Sequence, residues 1–113
     1  MAAKTFVPDL GDLVWLTPAT HGRDSRGKRA GLVLSPRNYN AKTGTALACP
    51  ITAAVKGYPF EVQLPLGGIV TGAVLADRVR SLNWRDEGAA FAAKAPDEVI
   101  AEVQERLRAL LRL

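Results

Sequence analysis

The sequence predicts a small, mostly β fold, an antiparallel barrel or curled sheet, that ends in one helix. Short runs of alternating apolar residues are separated by Gly, Pro and Asn, which is typical of strands joined by turns. Near the C-terminus the apolar residues instead recur every three or four positions, which is typical of a helix. A chain of 113 residues has the usual length of one domain, so we expect residues 1–113 to form a single domain.

The strand pattern recurs along most of the chain. It covers 12–16, 29–35, 46–52, 60–64, 69–75, 78–84 and, most weakly, 89–94. Pro36 ends the second of these segments. Pro50 has no amide hydrogen to donate, so it predicts an edge or a bulge in the third. Phe60, Val62 and Leu64 alternate with polar residues, which predicts a strand with one face in the core and one in water.

The last segment predicts an amphipathic helix over about four turns. Its apolar residues are Val99, Ile100, Val103, Leu107, Leu110 and Leu111. Pro96 suits the first turn, and Asp97 and Glu98 suit the positive end of the helix dipole. The leucines fit either core packing or a dimer surface.

Cysteine content and hydropathy exclude several classes of protein. Cys49 is the only cysteine, so there is no internal disulfide and no cysteine-rich metal cluster. We interpret it as a small buried hydrophobe; the alternative, a catalytic thiol, needs a histidine base, and His21 is the only histidine. Neither an apolar leader segment nor an apolar stretch of the ~20 residues that span a bilayer is present. We therefore expect a cytoplasmic protein with no membrane association.

Basic residues are concentrated in the first half of the chain. The protein carries 15 Lys plus Arg and 11 Asp plus Glu, for a net charge of +4. Residues 1–60 hold eight basic and three acidic side chains, whereas residues 61–113 hold seven and eight. This asymmetry predicts a cationic face suited to nucleic acid. A merely solvated basic surface explains the charge equally well.

Two longer loops are candidates for binding a nucleic acid. The first, residues 17–28, runs into Arg29 and carries Arg23, Arg26 and Lys28, with glycines that let it fold over a phosphate backbone. The second, residues 53–59, carries Lys56 and Tyr58, a cation and an aromatic ring of the kind that holds an unstacked base.

Several segments together resemble the MazF/PemK family of bacterial toxins. In chain order they are Val7-Pro-Asp-Leu-Gly-Asp-Leu-Val-Trp15, Leu32-Val-Leu-Ser-Pro36, Tyr39-Asn40, Lys42-Thr-Gly44, Pro50-Ile-Thr52, Lys56-Gly-Tyr-Pro-Phe-Glu-Val62 and Trp84-Arg85. The similarity runs in register from about Val7 to Leu111.

The resemblance implies an SH3-like barrel with a C-terminal helix, a homodimer, a MazE-like antitoxin and sequence-specific cleavage of single-stranded RNA. In the family, an arginine at the start of the second strand and a threonine at the end of the third form the catalytic pair. The matching positions are Arg29 and Thr52. An acidic residue in the preceding loop is often implicated as well, and Asp24 matches it.

The chemistry of these residue types fits RNA cleavage without a metal or other cofactor. The 2′-hydroxyl of RNA can attack the adjacent phosphorus itself, so the enzyme needs a proton acceptor, a proton donor and a cation. The guanidinium of Arg29 can hold phosphate oxygens through two parallel hydrogen bonds and stabilise the transition state. Thr52 can donate a hydroxyl hydrogen bond to the same phosphate. Asp24 is the carboxylate expected to assist proton transfer, with His21 as the competing candidate.

Alternatives stand beside these assignments. Without the resemblance, Arg29 is explained as a surface arginine and Thr52 as a turn residue.

Many relatives carry Arg-Pro where this chain has Arg29-Ala30, and Asp-Gln where it has Asp77-Arg78. We count Arg78, together with Arg85, among the expected RNA contacts, and the cleavage motif does not follow from the sequence.

Two rival functions use the same fold. A CcdB-like gyrase poison would end in Trp-Gly-Ile, whereas this chain ends Leu-Arg-Leu113. A catalytically silent module that binds RNA or antitoxin is the other alternative.

Overall fold

The computed structural model describes residues 6–16 and 29–113. Its strands are β1 (Asp12–Leu16), β2 (Arg29–Val33), β3 (Ala46–Thr52), β4 (Glu61–Gln63), β5 (Ala73–Leu75), β6 (Arg80–Leu82) and β7 (Ala90–Lys94). The helices are α1 (Arg37–Thr43) and α2 (Asp97–Leu111), and a 3₁₀ turn spans Ala76–Arg78. No helix in the described ranges is long and apolar enough to cross a membrane.

The described strands form one antiparallel sheet in the order β4, β5, β3, β2, β1, β7, with β6 also paired to β3. The mostly β architecture with a C-terminal helix confirms the predicted fold class. The predicted barrel is not closed, because β4 and β7 lie at opposite ends of the described sheet and do not pair with each other. The described sheet is open.

Alternation along the strands separates two cores. One face of the sheet carries Leu13, Leu32, Cys49, Val62 and Val74, which pack with the helix α2. The opposite face is packed at one end by Val14, Val33, Ala46, Ala48, Leu82 and Trp84. Because neighbouring residues of a strand point to opposite faces, each core takes every second residue. The remainder of the second face, where Arg29 is exposed and Pro50 and Thr52 are half-buried, holds the candidate site.

Helix α2 packs one apolar stripe onto the sheet. Val99 and Val103 are buried, and Ile100 and Leu107 pack partly against the same core. Leu110 and Leu111 at its end are exposed. Core packing therefore accounts for the first part of the predicted stripe, and the last two leucines remain available to a partner.

Pro50 lies within the central strand β3, so the expected edge position was wrong. It pairs with Gly31 of β2 on one side. On the other side of β3, β6 pairs with Ala46–Ala48 and β5 pairs with Ile51 and Thr52. Pro50, which has no amide hydrogen, thus lies at the gap between β5 and β6, so its lack of a donor costs the sheet no hydrogen bond on that side.

Other boundaries differ from the sequence prediction. The segment 69–75 forms a strand only over its last three residues, and 78–84 only over 80–82. The segments 29–35 and 60–64 are likewise shorter as strands, at 29–33 and 61–63. Helix α1 was not predicted from the pattern, because its one buried side chain, Asn40, is polar and gives no apolar stripe.

Candidate active site

Arg29 and Thr52 lie at adjoining ends of two paired strands. Ala30 pairs with Ile51 and Gly31 with Pro50, and the same register continued by one residue sets Arg29 opposite Thr52. Directly opposed residues of an antiparallel pair project to the same face, with β-carbons about 4.5–5.5 Å apart. Arg29 is exposed and Thr52 is half-buried. The sheet therefore brings the two expected catalytic residues together, on the face opposite α2.

The Thr52 hydroxyl is oriented by its own loop. The backbone N–H of Ala54 donates to Thr52 Oγ1 at 3.0 Å. This bond occupies a lone pair of the oxygen and does not use the hydroxyl hydrogen, which can still be donated to a phosphate oxygen.

A cleft of about 370 Å³ opens beside Thr52. The other residues that line it are Ala54, Lys56, Tyr58, Pro59, Phe60, Glu61, Leu75, Asp77 and Arg78. Its size is within the roughly 300–1,000 Å³ typical of small-molecule sites. The cleft thus collects Thr52 and three of the expected RNA contacts, Lys56, Tyr58 and Arg78, which are separated by up to 26 positions in the sequence.

Lys56 and Tyr58 form one wall of the cleft. Lys56 Nζ lies 6.0 Å from the centroid of the Tyr58 ring, at the outer limit of a cation–π contact. The tyrosine side chain is 60% exposed. One ring face and one ammonium group at this position are suited to a stacked base and its phosphate.

Two residues that the sequence did not single out shape the site. A β-carbon on Gly72 would lie 2.1 Å from the carbonyl oxygen of Thr52, and the φ of Gly72 is +115°. Only glycine allows β5 to approach β3 this closely beside Thr52. Arg80 of β6 lines the same shallow depression as Arg29. Only the pairing of β6 with β3 places this arginine near the site, so no local signal identifies it.

Cys49 of β3 has a buried side chain, as expected for a hydrophobe. Its side chain is fully buried, and desolvation, aided by the charge of Asp77, raises the pKa of the thiol to about 12. A thiol with this pKa is protonated at neutral pH and is a poor nucleophile. Over residues 6–16 and 29–113, no three His, Cys, Asp or Glu side chains cluster as metal ligands would.

Comparison with known families decides the class of protein to which this site belongs. Residues 10–111 match the family model described as PemK-like, MazF-like toxin of type II toxin-antitoxin system. The chain belongs to this toxin family.

Relatives of known name agree with the family. The toxin is 41% identical over 107 residues to the endoribonuclease toxin MazF of Escherichia coli strain K12, covering 94% of this chain and 96% of that one. It is 50% identical to a chain of the MazE-MazF crystal structure (Form-II) from Deinococcus radiodurans, with a TM-score of 0.85 and coverage of 95% and 97%. A mycobacterial endoribonuclease in complex with its antitoxin is 20% identical, with a TM-score of 0.75 and coverage of 94% and 96%, and supports the fold alone.

The remaining expected site residues of the toxin fall into two groups. Asp24, its competitor His21 and the expected RNA contacts Arg23, Arg26 and Lys28 lie outside the described residues. Arg85 does not line the cleft. Its Cζ is 4.8 Å from the ring centroid of Trp84, and its Nη2 donates a hydrogen bond to the carbonyl oxygen of Ala41 at 3.3 Å. Trp84 itself is a core residue with 3% exposure.

Proposed function

We propose that this toxin is an endoribonuclease that cuts single-stranded RNA by attack of the RNA's own 2′-hydroxyl, leaving 2′,3′-cyclic phosphate and 5′-hydroxyl ends. The toxin class follows from the family, and the endoribonuclease activity is that of the curated relatives across nearly the full chain. The cleavage chemistry and the residue roles are proposals that combine what the resemblance implies with the geometry of the site.

The observation that carries the proposal is the juxtaposition of Arg29 and Thr52 beside the cleft. The β2–β3 register sets the two residues opposite each other, and Thr52 lines the cleft that also holds Lys56, Tyr58 and Arg78. A phosphate held by Arg29 and Thr52 would therefore have its neighbouring nucleotide within reach of an aromatic ring and two cations.

Each residue has a distinct role in this mechanism. Arg29 binds the equatorial phosphate oxygens and stabilises the charge that grows in the transition state. Thr52 donates its hydroxyl hydrogen to the same phosphate. Asp24, or His21 in its place, accepts the proton of the attacking 2′-hydroxyl as the P–O2′ bond forms. The P–O5′ bond then breaks, and the departing 5′-oxygen takes a proton from this protonated group or from water to become the 5′-hydroxyl. General acid–base assistance of this kind contributes typically about 10² to 10⁴ in rate. No step requires a metal ion or another cofactor.

RNA binding is assigned to the cationic groups around this pair. Lys56, Tyr58 and Arg78 act in the cleft, and Arg23, Arg26 and Lys28 act from the loop that precedes Arg29. Phosphate contacts hold and orient the strand, whereas base contacts give specificity. Arg85 is the weakest member of the set, because its guanidinium is already stacked on Trp84.

The proposed partners of the toxin are an antitoxin and a second copy of the same chain. A MazE-like antitoxin is proposed to occupy the RNA groove, and the MazE-MazF complex from Deinococcus radiodurans supports a partner of this kind. We propose a homodimer as the active unit, built from a single toxin domain per chain. We propose that it acts on messenger RNA in the cytoplasm.

Digestion of a long, defined RNA with mapped fragment ends tests the proposal. We expect cleavage in the presence of EDTA, at a restricted set of sites, with cyclic phosphate and 5′-hydroxyl ends. Loss of activity in EDTA with recovery in magnesium or manganese would contradict the chemistry. An intact RNA together with inhibition of DNA gyrase would favour the CcdB-like alternative.

A further inference from the structure

We propose that Glu61 is a positioning residue for RNA binding: its carboxylate holds the loop of residues 53–60 in the conformation that presents Lys56 and Tyr58 to the cleft. This inference rests on the proposed function, since it takes the cleft as an RNA site. Glu61 is not itself assigned a contact with the reacting atoms.

The carboxylate of Glu61 accepts hydrogen bonds from the two residues at the apex of the loop. The N–H of Gly57 donates to Oε1 at 2.8 Å, and the N–H of Lys56 donates to Oε1 at 3.0 Å and to Oε2 at 3.3 Å. The backbone N–H of Glu61 in turn donates to the carbonyl of Tyr58 at 3.0 Å. One residue therefore ties the loop on both sides of Gly57, whose φ of +79° turns the chain there.

The loop has little else to hold it. Residues 53–59 are all exposed, so their packing against the core contributes little order. Glu61, by contrast, stands at the start of β4 and pairs with Leu75 of β5. The adjoining Val62 is buried, and the N–H of Ala76 donates to the carbonyl of Phe60 at 3.0 Å. The carboxylate thus extends from a fixed strand to a loop that depends on it.

The charge of Glu61 opposes the ligand that the cleft is proposed to bind. A carboxylate that lines the same cleft as Lys56 and Arg78 repels a phosphate backbone, so electrostatics alone would make its removal strengthen RNA binding. Preorganisation acts in the opposite direction, because a disordered loop must be ordered at the expense of affinity. The two effects predict opposite signs for the same substitution, which makes the role of Glu61 measurable.

The test is a titration with an RNA that carries a 2′-deoxy sugar at the scissile position, so that binding is measured without cleavage. We expect Glu61→Ala to weaken binding roughly tenfold, on the scale of the cost of ordering a loop. Glu61→Gln keeps an acceptor oxygen and should recover most of the loss. Gln63→Ala, a change to an exposed neutral residue on the same face of β4, is the matched control and should bind as the wild type does.

Kinetics and a double-mutant cycle separate positioning from a general structural role. With cleavable RNA, Glu61→Ala should raise KM while kcat at saturation stays near that of the wild type. In a Lys56→Ala/Tyr58→Ala background the additional effect of Glu61→Ala should largely disappear, because the groups that it positions are gone.

Unchanged or tighter RNA binding by Glu61→Ala, an equal loss in both backgrounds, or failure of Glu61→Gln to recover binding would each overturn the inference. If Glu61→Ala lowers the melting temperature enough to prevent measurement, Glu61→Met takes its place, because methionine keeps the length of the side chain without its acceptor oxygens and should lose binding to the same extent. A wild-type protein that binds no RNA would overturn the proposed function as well, whereas a wild type that binds and cuts RNA with indifference to Glu61 would overturn only this inference.

Discussion

The indole N–H of Trp84 donates to the backbone carbonyl of Asn40 at 3.0 Å, and both residues are buried. The Asn40 side chain completes the connection: its Nδ2 donates to the carbonyls of Pro8 (2.8 Å) and Ser35 (2.9 Å), and its Oδ1 accepts the Ser35 hydroxyl at 2.6 Å. Asn40 therefore joins helix α1 to the segment before β1 through its side chain and to the segment after β6 through its backbone carbonyl.

Replacement of Asn40 should destabilise the fold without touching the cleft. Asn40→Ala leaves buried oxygens of Pro8 and Ser35 without a donor, and each unsatisfied buried group costs about 1–3 kcal/mol. We expect a lowered melting temperature in thermal denaturation. Asn38→Ala, an exposed position on the same helix, should melt close to the wild type. Equal melting temperatures for the two variants would contradict the structural role of Asn40.

Arg29→Ala should abolish most cleavage and leave the fold intact. Removal of one preorganised donor costs about 2.7–4 kcal/mol of transition-state stabilisation, or roughly 10² to 10³ in kcat. The side chain is exposed, so the melting temperature should change by only a few degrees. Arg37→Ala, at an exposed arginine of α1, is the control for loss of one positive charge. Wild-type cleavage by Arg29→Ala, or an unfolded variant, would remove the central assignment.

A single 2′-deoxy sugar immediately 5′ of the scissile phosphate should block cleavage but allow binding. The substitution removes the attacking oxygen and leaves the phosphate contacts unchanged. Gel analysis should show an intact strand, and a binding titration should give an affinity near that of the all-ribose RNA. The control moves the deoxy sugar to a position several nucleotides away, where cutting should continue. Cleavage at the substituted site would mean that water or a protein group is the nucleophile.

The antitoxin should exclude RNA from the toxin, and its binding should weaken with salt. An acidic segment that occupies a cationic groove loses affinity as ionic strength rises, since exposed charges are screened beyond about 8 Å at physiological salt. Titration of the antitoxin into a complex of toxin and uncleavable RNA should displace the RNA. A stable ternary complex, with both ligands tightly bound at one dimer site, would contradict competition for the same groove.

The proposed homodimer should depend on the leucines at the end of α2. An open groove of about 500 Å³ is lined by apolar side chains that include Leu34, Leu47, Leu107, Leu111 and Leu113. A two-fold contact buries the same patch of both subunits, so one added charge enters the interface twice. We expect Leu111→Glu to sediment as a monomer at concentrations where the wild type is a dimer. Leu66→Glu changes a leucine that is 86% exposed and does not line this groove, and should stay dimeric. An active wild-type monomer would refute the dimer proposal.

Local patterns were sufficient for much of the fold. The alternation around Phe60, Val62 and Leu64 located β4, and the three- and four-residue spacing from Val99 located α2 to within two residues of its observed start. Such patterns report burial of one face, which depends mainly on a residue and its near neighbours. Helix α1 escaped prediction for the same reason, since its buried residue is a hydrogen-bonded asparagine rather than an apolar stripe.

The sequence by itself determined the strand segments and helix α2, the family resemblance and the residue types of the site. Only the tertiary structure decided that the sheet stays open, that Arg29 adjoins Thr52, that Arg78 joins the Lys56 and Tyr58 wall, and that Arg85 instead stacks on Trp84. The physical reason is that these relationships depend on strand register and on contacts between residues distant in the chain. A residue's neighbours in the chain do not encode which strand will lie beside it. The local sequence around an arginine therefore does not show whether the folded sheet will place that arginine beside Thr52 or elsewhere on the surface.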